Sequence, residues 1–171
     1  MRLTIDGRNV EAAEGMTILA AAKTAGIEIP TLCYLEGISD IGSCRLCVVE
    51  VEGMNELATA CNTKAKEGMV VQTASERVIE ARKTVLLSNH NIDCFNCEKN
   101  GDCELQKYCN IYGIDTTPYF GSRGLLECEI PKKDAHPFLS YDQSKCIYCQ
   151  RCVQTCRVAT GRRAIKLRRT G

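Results

Sequence analysis

Cysteine and histidine are the residues of this 171-residue chain whose spacing indicates chemistry. They form three groups of four: Cys33, Cys44, Cys47 and Cys61; His90, Cys94, Cys97 and Cys103; and Cys146, Cys149, Cys152 and Cys156. Thiolate and imidazole ligands at such spacing are typical of iron–sulfur clusters. Three groups in one small chain indicate a protein that carries electrons rather than one that rearranges a substrate.

The first group fits a 2Fe–2S cluster, which needs four thiolates. Plant-type ferredoxins supply three from one loop and one from a later segment, as Cys33, Cys44 and Cys47 with the distant Cys61 would do here. The ten residues between Cys33 and Cys44 are a departure from that plan. Gly42 and its neighbours would let backbone N–H groups approach the sulfurs. Zinc is the alternative, because Cys44-x2-Cys47 alone fits a zinc site.

The second group has His90 where a fourth ligand is required beside Cys94, Cys97 and Cys103. An imidazole in place of a thiolate removes a negative charge and alters the potential of a cluster, as in Rieske centres. We therefore predict a 4Fe–4S cluster with His90 as a ligand. Cys109 is the competing fourth ligand, and zinc bound by three cysteines and one histidine ranks third.

The third group matches the bacterial ferredoxin run, except that Arg157 stands where proline usually follows, and it predicts a second 4Fe–4S cluster. In two-cluster ferredoxins the fourth cysteine of such a run binds the other cluster. This chain holds no second run. Either Cys156 completes its own cluster, or Cys128, Cys109 or a partner chain supplies the missing thiolate. Cys128 otherwise fits a small buried hydrophobic residue.

The composition of the chain limits the classes of protein to which it can belong. Aromatic residues make up 5% of the chain and tryptophan is absent, so metal binding should supply part of the folding free energy. A net charge of +1 gives no argument for nucleic acid. The odd count of 13 cysteines argues against a disulfide framework. With no visible signal peptide or apolar stretch of membrane-spanning length, we expect a cytoplasmic protein that does not insert into a membrane.

The first group is expected in a small α/β unit over residues 1–78. The predicted elements are a hairpin of strands 2–5 and 10–12 around Asp6-Gly7, a helix from Ile18 to about Ala25 capped by Thr17, and strands at 48–51 and 69–71. The loop between Pro30 and Cys47 is long and irregular, which is typical of a functional loop.

Three further segments follow along the chain. Residues 79–112 carry the second group, between a helix over about 75–88 that starts at a Thr73-x2-Glu76 capping box and a short helix over 104–111. The first of these helices places Val78, Ile79, Arg82, Val85 and Leu86 on one face. Residues 113–136 are a linker or wrapping loop. Residues 137–171 carry the third group, with a short strand, one or two helical turns and a strand at 164–167.

Together the motifs resemble the amino-terminal iron–sulfur region of the large iron–sulfur subunit of complex I, and equally that of iron-only hydrogenases and NAD-dependent formate dehydrogenases. The resemblance is carried by Cys-Tyr-Leu at 33–35, Gly-Ser-Cys-Arg-Leu-Cys-Val-Val-Glu-Val at 42–51, His90 with its cysteines, and Asn-Gly-Asp-Cys-Glu-Leu-Gln-Lys-Tyr at 100–108. It implies an α+β fold: a β-grasp 2Fe–2S ferredoxin domain, a His-ligated 4Fe–4S segment and a partial bacterial-ferredoxin-like module.

The resemblance also implies cofactors and partners. These are one 2Fe–2S cluster, two 4Fe–4S clusters, a flavin- and NAD(P)-binding iron–sulfur subunit, and a ferredoxin or a catalytic subunit. Longer relatives continue into a second four-cysteine run and a catalytic domain, so we predict no catalytic site in residues 1–171. No Gly-x-Gly-x-x-Gly or P-loop motif indicates a flavin or nucleotide bound by this chain itself.

The leading hypothesis is an electron-transfer subunit of a multi-subunit oxidoreductase, which relays single electrons between a flavin-binding partner and another redox centre. The complex as a whole is either electron-bifurcating or uses a single electron acceptor. Two alternatives are a zinc-stabilised interaction module and a piece of a complete hydrogenase or formate dehydrogenase. The basic stretch from Arg157 to Arg169 is either a solvated terminus or a docking surface for an acidic partner. His136 is expected to be solvated rather than a catalytic base.

Overall fold

A computed structural model describes residues 1–88, 94, 97–116 and 145–166 of the chain. The elements in these ranges are β1 (Arg2–Ile5), β2 (Arg8–Glu11), α1 (Ile18–Thr24), β3 (Val48–Val51), β4 (Ala58–Thr59), β5 (Val70–Gln72), α2 (Glu76–Ser88), α3 (Glu104–Ile111) and α4 (Arg151–Thr160). The strands come first and all helices except α1 follow them. Such segregation is typical of the α+β class, and the α+β prediction is confirmed.

The five strands form one mixed sheet in the order β2-β1-β5-β3-β4. β1 pairs antiparallel with β2 and parallel with β5, and β3 lies antiparallel to both β5 and β4. The first hairpin turns at Asp6 and Gly7, whose φ angles of 48° and 76° suit a two-residue turn with the twist of the strands. The predicted hairpin is confirmed, whereas the short β4 carries no pattern that would have predicted it from sequence.

Helix α1 and the sheet enclose what we call the sheet core. The Thr17 hydroxyl accepts a hydrogen bond from the backbone N–H of Ala20 at 3.2 Å, which confirms the predicted N-cap. The helix buries Ile18, Ala21 and Ala22 completely. Facing them are the buried residues Leu3, Ile5, Val10, Val49, Val51 and Val71, together with Cys47 and Cys61. Two of the predicted ligands are therefore part of the sheet core.

Helix α2 begins differently from the prediction. The backbone N–H and hydroxyl of Thr73 donate to the Asp6 carboxylate at 2.7 and 2.6 Å, so Thr73 does not cap the helix. Ser75 Oγ instead accepts from the backbone N–H of Val78 at 3.3 Å, and the helix starts at Glu76. The capping-box prediction is wrong because the β1–β2 turn presents Thr73 with a charged acceptor, which forms the stronger hydrogen bond.

A second core lies between the loop after α1 and helices α2 and α3. We call it the shared core: it contains Leu32, Cys33, Cys44, Leu46, Leu86, Leu105 and Cys109, with Val85, Cys94, Cys103, Tyr108, Tyr112, Ile114, Ile147 and Cys149 partly buried against it. Helix α2 contributes the face that the sequence predicted, since Val78, Arg82 and Leu86 are its buried residues. Among the described residues, the shared core is thus formed by two helices packed against a cysteine-rich loop, without a contribution from the sheet.

The later helices meet their predictions in part. Helix α3 has the predicted bounds, while α4 spans ten residues and is longer than the expected one or two turns. The strand predicted at 164–167 is wrong for residues 164–166, which are irregular. These residues lie close to Cys156, whose thiol donates to the carbonyl of the nearby Arg162 at 3.9 Å.

Several predictions fall outside the described residues. These concern His90, Cys128, His136, most of the linker over 113–136, and the short strand expected before the third group. None of the helices in the described ranges is long and apolar enough to cross a membrane.

Candidate metal centres

The four cysteines of the first group lie side by side in the interior. Their exposed fractions are 0% for Cys33, 4% for Cys44, 1% for Cys47 and 0% for Cys61. The sulfur of Cys33 interacts with that of Cys44, and the sulfur of Cys61 with that of Cys47, while the Cys61 thiol donates a hydrogen bond to the Asp40 carbonyl at 3.7 Å. The backbone N–H of Cys44 also donates to Cys33 Sγ at 3.5 Å. Residues far apart in sequence are thus brought into one buried set of sulfurs.

The pairing divides the thiols into two kinds. The interaction with Cys33 lowers the pKa of the Cys44 thiol to about 5, and backbone N–H groups such as that of Leu46 act in the same direction. The interaction with Cys61 likewise lowers the pKa of Cys47. The same interactions, followed by burial, raise the pKa values of Cys33 and Cys61. Cys44 and Cys47 are therefore the first of the four thiols to ionise to thiolates, the form that binds a soft metal.

The loop before Cys44 is shaped by backbone conformations that few residues adopt. Gly42 and Arg45 both have positive φ, 64° and 58°. A Cβ on Gly42 would lie 2.9 Å from the side-chain nitrogen of Asn62. That amide is held in place because its oxygen accepts a hydrogen bond from Thr59 Oγ1 at 2.5 Å. Gly42 therefore lets the loop pass close to the residue that follows Cys61, as expected of a backbone wrapped around sulfurs.

The first group lies at the boundary between the two cores. Cys47 and Cys61 belong to the sheet core, while Cys33 and Cys44 belong to the shared core. The carbonyl of Cys47 accepts from the backbone N–H of Ala60 at 3.0 Å, which joins the start of β3 to the end of β4. One edge of the site is thus fixed by the sheet and the other faces the helices of the second segment.

The second group is described at its three cysteines. Cys94 and Cys103 are partly buried against the shared core, and the backbone N–H of Lys99 donates to Cys97 Sγ at 3.4 Å. Cys109, the competing ligand, is 1% exposed. Burial and then the nearby Cys94 and Cys103 raise the pKa of the Cys109 thiol to about 11. The structure therefore brings Cys109 close to two of the cysteines, Cys94 and Cys103, beside which it would replace His90 as the fourth ligand.

The third group is more exposed than the first. Cys152 is exposed and Cys146, Cys149 and Cys156 are half-buried. The backbone N–H of Tyr148 donates to Cys146 Sγ at 3.4 Å. The Cys156 thiol, within α4, donates to the carbonyl oxygen of Arg162 at 3.9 Å. Backbone donors, led by the N–H of Ile165, lower the pKa of Cys156.

Contacts between the groups are made by residues adjacent to the cysteines in sequence. The Ser43 hydroxyl, next to Cys44, donates to the Tyr148 carbonyl at 3.1 Å. Arg151, which precedes Cys152, forms an ion pair with Glu104, the residue after Cys103. The other end of the same guanidinium donates to the carbonyl of Tyr34, the residue after Cys33, at 3.4 Å. The third segment therefore contacts both the first and the second.

Two arginines, Arg151 and Arg82, have roles that the sequence reasoning missed. Arg82 was placed on the apolar face of α2, and an arginine on such a face is itself a signal of a buried polar contact. Its guanidinium donates to the carbonyls of Leu46 and Val48 and to the hydroxyl of Tyr112. Arg151 carries no comparable signal, because a basic residue between cysteines is equally compatible with solvent.

The donor chemistry and the packing together fit iron–sulfur centres. In the described ranges, no three side chains of the His, Cys, Asp and Glu types gather closely enough around one point to hold a single metal ion. The cysteines of the first group are all buried, and their sulfurs are close enough to influence one another's pKa values. Buried thiols with backbone N–H donors at their sulfurs are the environment that iron–sulfur clusters use.

Comparison with known proteins agrees with this chemistry. Residues 1–76 match the family described as a 2Fe-2S iron-sulfur cluster binding domain. Residues 83–118 match the NADH-ubiquinone oxidoreductase-G iron-sulfur binding region. The molecule is therefore an iron–sulfur protein with binding domains for 2Fe–2S and 4Fe–4S clusters.

Individual relatives narrow the assignment. The NADP-reducing hydrogenase subunit HndD of Solidesulfovibrio fructosivorans is 47% identical over 94% of this chain and 29% of its own length. The mitochondrial NADH-ubiquinone oxidoreductase 78 kDa subunit of Candida albicans is 38% identical over 90% of this chain and 22% of its own length. A chain in the crystal structure of an NAD+-reducing [NiFe]-hydrogenase is 33% identical, with a TM-score of 0.81 over 99% of this chain and 71% of that one.

The chain belongs to the family of iron–sulfur subunits that includes the 78 kDa subunit of NADH-ubiquinone oxidoreductase, which is complex I, and the NAD(P)-reducing hydrogenase subunits. The resemblance deduced from the motifs is thus confirmed. The chain spans less than a third of the length of these two curated relatives.

Proposed function

We propose that this chain relays single electrons within an NAD(P)-linked oxidoreductase complex. The observation that carries the proposal is the shared core, which contacts Cys33 and Cys44 of the first group, Cys94 and Cys103 of the second, and Cys149 of the third. One apolar core thus contains or adjoins cysteines of all three groups. Short, dry separations are what rapid electron transfer between buried centres requires.

In this proposal the first group, Cys33, Cys44, Cys47 and Cys61, holds a 2Fe–2S cluster. Four buried cysteines supply the four thiolates that a cluster of two iron ions needs. A bound cluster of this kind accepts and gives up one electron at a time. The chain itself supplies the four sulfurs, excludes solvent from them and directs backbone N–H groups such as that of Cys44 towards them.

The other two groups hold 4Fe–4S clusters in the same proposal. The second set is His90, Cys94, Cys97 and Cys103, and the third is Cys146, Cys149, Cys152 and Cys156. The donors at Cys97 and Cys146 are backbone N–H groups two residues further along the chain, as repeated Cys-x2-Cys turns provide. The domain boundaries proposed with these sets are a β-grasp domain over 1–78, a His-ligated segment over 79–112, a linker over 113–136 and a partial ferredoxin module over 137–171.

The proposed partner is a flavin- and NAD(P)-binding subunit. Nicotinamide reacts by hydride transfer, which moves two electrons, so a flavin must divide the pair before single electrons enter the clusters. The names of the relatives, an NADP-reducing hydrogenase subunit and an NADH-ubiquinone oxidoreductase subunit, support an NAD(P)-linked complex. A catalytic subunit or a ferredoxin would accept the electrons that leave the clusters. In an electron-bifurcating complex, both a catalytic subunit and a ferredoxin would exchange electrons with the complex.

The test is the content of iron, acid-labile sulfide and zinc per chain after anaerobic purification. One 2Fe–2S and two 4Fe–4S clusters correspond to about ten iron and ten sulfide. About six of each would mean that the third site fills only with a partner present. Zinc without sulfide would contradict the proposal and favour an interaction module.

The fourth ligand of the second cluster is tested by two substitutions. His90→Ala should shift or destroy the electron paramagnetic resonance (EPR) signal of this cluster, because one ligand is lost. Cys109→Ser should leave the signal and the iron content unchanged, and should cost about 1–2 kcal/mol of stability for a hydroxyl in apolar surroundings. The reverse pattern would assign Cys109 as the ligand in place of His90.

A further inference from the structure

Arg82 is a cation in the interior of this molecule. Its residue surface is 3% exposed, and on α2 it lies between the fully buried Val78 and Leu86. Nε donates to the Leu46 carbonyl at 3.0 Å, Nη2 to the Val48 carbonyl at 2.8 Å and Nη1 to the Tyr112 hydroxyl at 2.9 Å. All three partners are neutral.

A buried charge with neutral partners is unfavourable unless an opposite charge lies nearby. The ion pairs formed between described residues do not involve Arg82. The two carbonyls that it binds belong to the residues on either side of Cys47, which is itself 1% exposed. The residue between these two carbonyls thus belongs to the first set of cysteine sulfurs, which become negatively charged when they bind a metal centre.

We infer that Arg82 is a positioning residue and the fixed countercharge of the first cluster. This inference rests on the proposed 2Fe–2S cluster at Cys33, Cys44, Cys47 and Cys61 and goes beyond it. By holding the Leu46 and Val48 carbonyls, the guanidinium fixes the backbone on both sides of Cys47. Its charge stabilises the reduced cluster more than the oxidised one, because reduction adds a negative charge. The midpoint potential of the first cluster is raised accordingly.

Tyr112 extends the effect of Arg82 to the second segment. Tyr112 follows α3 and packs against the shared core, to which Cys94 and Cys103 also belong. One side chain of α2 therefore binds both the loop that carries Cys47 and the helix that follows Cys103. Because the fork of a guanidinium is rigid, these three attachments are held in a fixed geometry.

The experiment is an EPR-monitored redox titration of the full chain with its clusters, comparing wild type with Arg82→Met and Arg82→Lys. Arg82→Met removes the charge and keeps the aliphatic stem, so the midpoint potential of the first cluster should fall, with a smaller change at the other clusters. Arg82→Lys keeps the charge without the fork and should retain most of the wild-type potential. Because the charge is buried, the difference between wild type and Arg82→Met should persist at high salt.

The matched control is Arg77→Met on the same helix. Arg77 is about half exposed and pairs with Glu50 at 3.6 Å, so its loss should leave the potential unchanged. Equal potentials in wild type and Arg82→Met, or a fall in Arg82→Lys as large as in Arg82→Met, would overturn the inference. If Arg82→Met binds no first cluster, Arg82→Lys decides: a wild-type potential supports the countercharge and a lowered one contradicts it. A wild-type chain without sulfide would instead refute the proposed function.

Discussion

The first and third cysteine groups represent opposite ways of building a metal centre. In the first group every cysteine is at most 4% exposed, and two of the four are core residues of the sheet. In the third group Cys152 is exposed, and α4, which carries Cys152 and Cys156, has no buried residue. One site is part of a core, and the other lies on the surface of one.

The difference shows which contacts hold the cysteines of each site in place. The first site is held from two sides, because Cys47 and Cys61 are buried in the sheet core and Cys33 and Cys44 in the shared core. The third site is held by contacts to its neighbours, chiefly the Ser43 hydroxyl and the Glu104 carboxylate. We therefore expect substitutions in the first site to act locally and strongly, and substitutions at the third site to act through docking.

The largest effect is expected from Cys47→Ser. The substitution removes a proposed ligand that is also a core residue, so the 2Fe–2S signal should be abolished. The other two clusters should remain, because their ligands come from separate segments. Iron content and EPR spectra measure both outcomes. Loss of all clusters together would contradict the separation into sites that the comparison implies.

An intermediate effect is expected from Gly42→Ala, with Gly37→Ala as its control. Both glycines have positive φ, 64° and 70°, so each substitution should cost about 1–2 kcal/mol of backbone strain. Only at Gly42 would the new Cβ meet a neighbour, the Asn62 amide at 2.9 Å, whereas nothing lies within 4 Å at Gly37. Gly42→Ala should therefore lower the free energy of unfolding further and speed the loss of the first cluster in air. Equal stability and equal rates of cluster loss in the two variants would show that the loop at Gly42 can accommodate a Cβ.

The smallest effect on stability is expected from Arg151→Met. Its ion pair with Glu104 is partly exposed, 28% and 61% for the two side chains, and such pairs contribute about 0.2–1 kcal/mol. The consequence should instead be selective, with iron lost from the third site before the others when a chelator is added. Arg157→Met changes an exposed arginine of the same helix and should lose iron at the wild-type rate. Equal loss from all sites in Arg151→Met would argue against docking through Arg151.

Local signals predicted much of the fold, and a long-range contact accounts for one of the errors. The Asp6-Gly7 turn, the Thr17 cap and the bounds of α3 follow from a few adjacent residues. The capping role predicted for Thr73 is wrong because its partner, Asp6, lies 67 positions away, and a capping pattern contains no information about a distant carboxylate. The strand predicted at 164–167 is wrong over residues 164–166, which are irregular.

For the sites, spacing identified the groups of cysteines, and the fold brought the first group together as one buried set. Spacing did not indicate how the groups contact one another. Arg82 reaches carbonyls 36 and 34 positions earlier in the chain, and Arg151 reaches Tyr34 across 117 positions. Contacts of that range depend on the docking of whole segments, which no local pattern encodes.

The junction at Arg151 has a consequence for exchanging modules between related proteins. Its bond to Tyr34 uses a backbone carbonyl, which any residue at that position would offer. The compatibility of a transplanted third module therefore depends mainly on two side chains of the host, the hydroxyl of Ser43 and the carboxylate of Glu104. A chimera that keeps serine and glutamate at these positions should accept a foreign ferredoxin-like segment with few further changes.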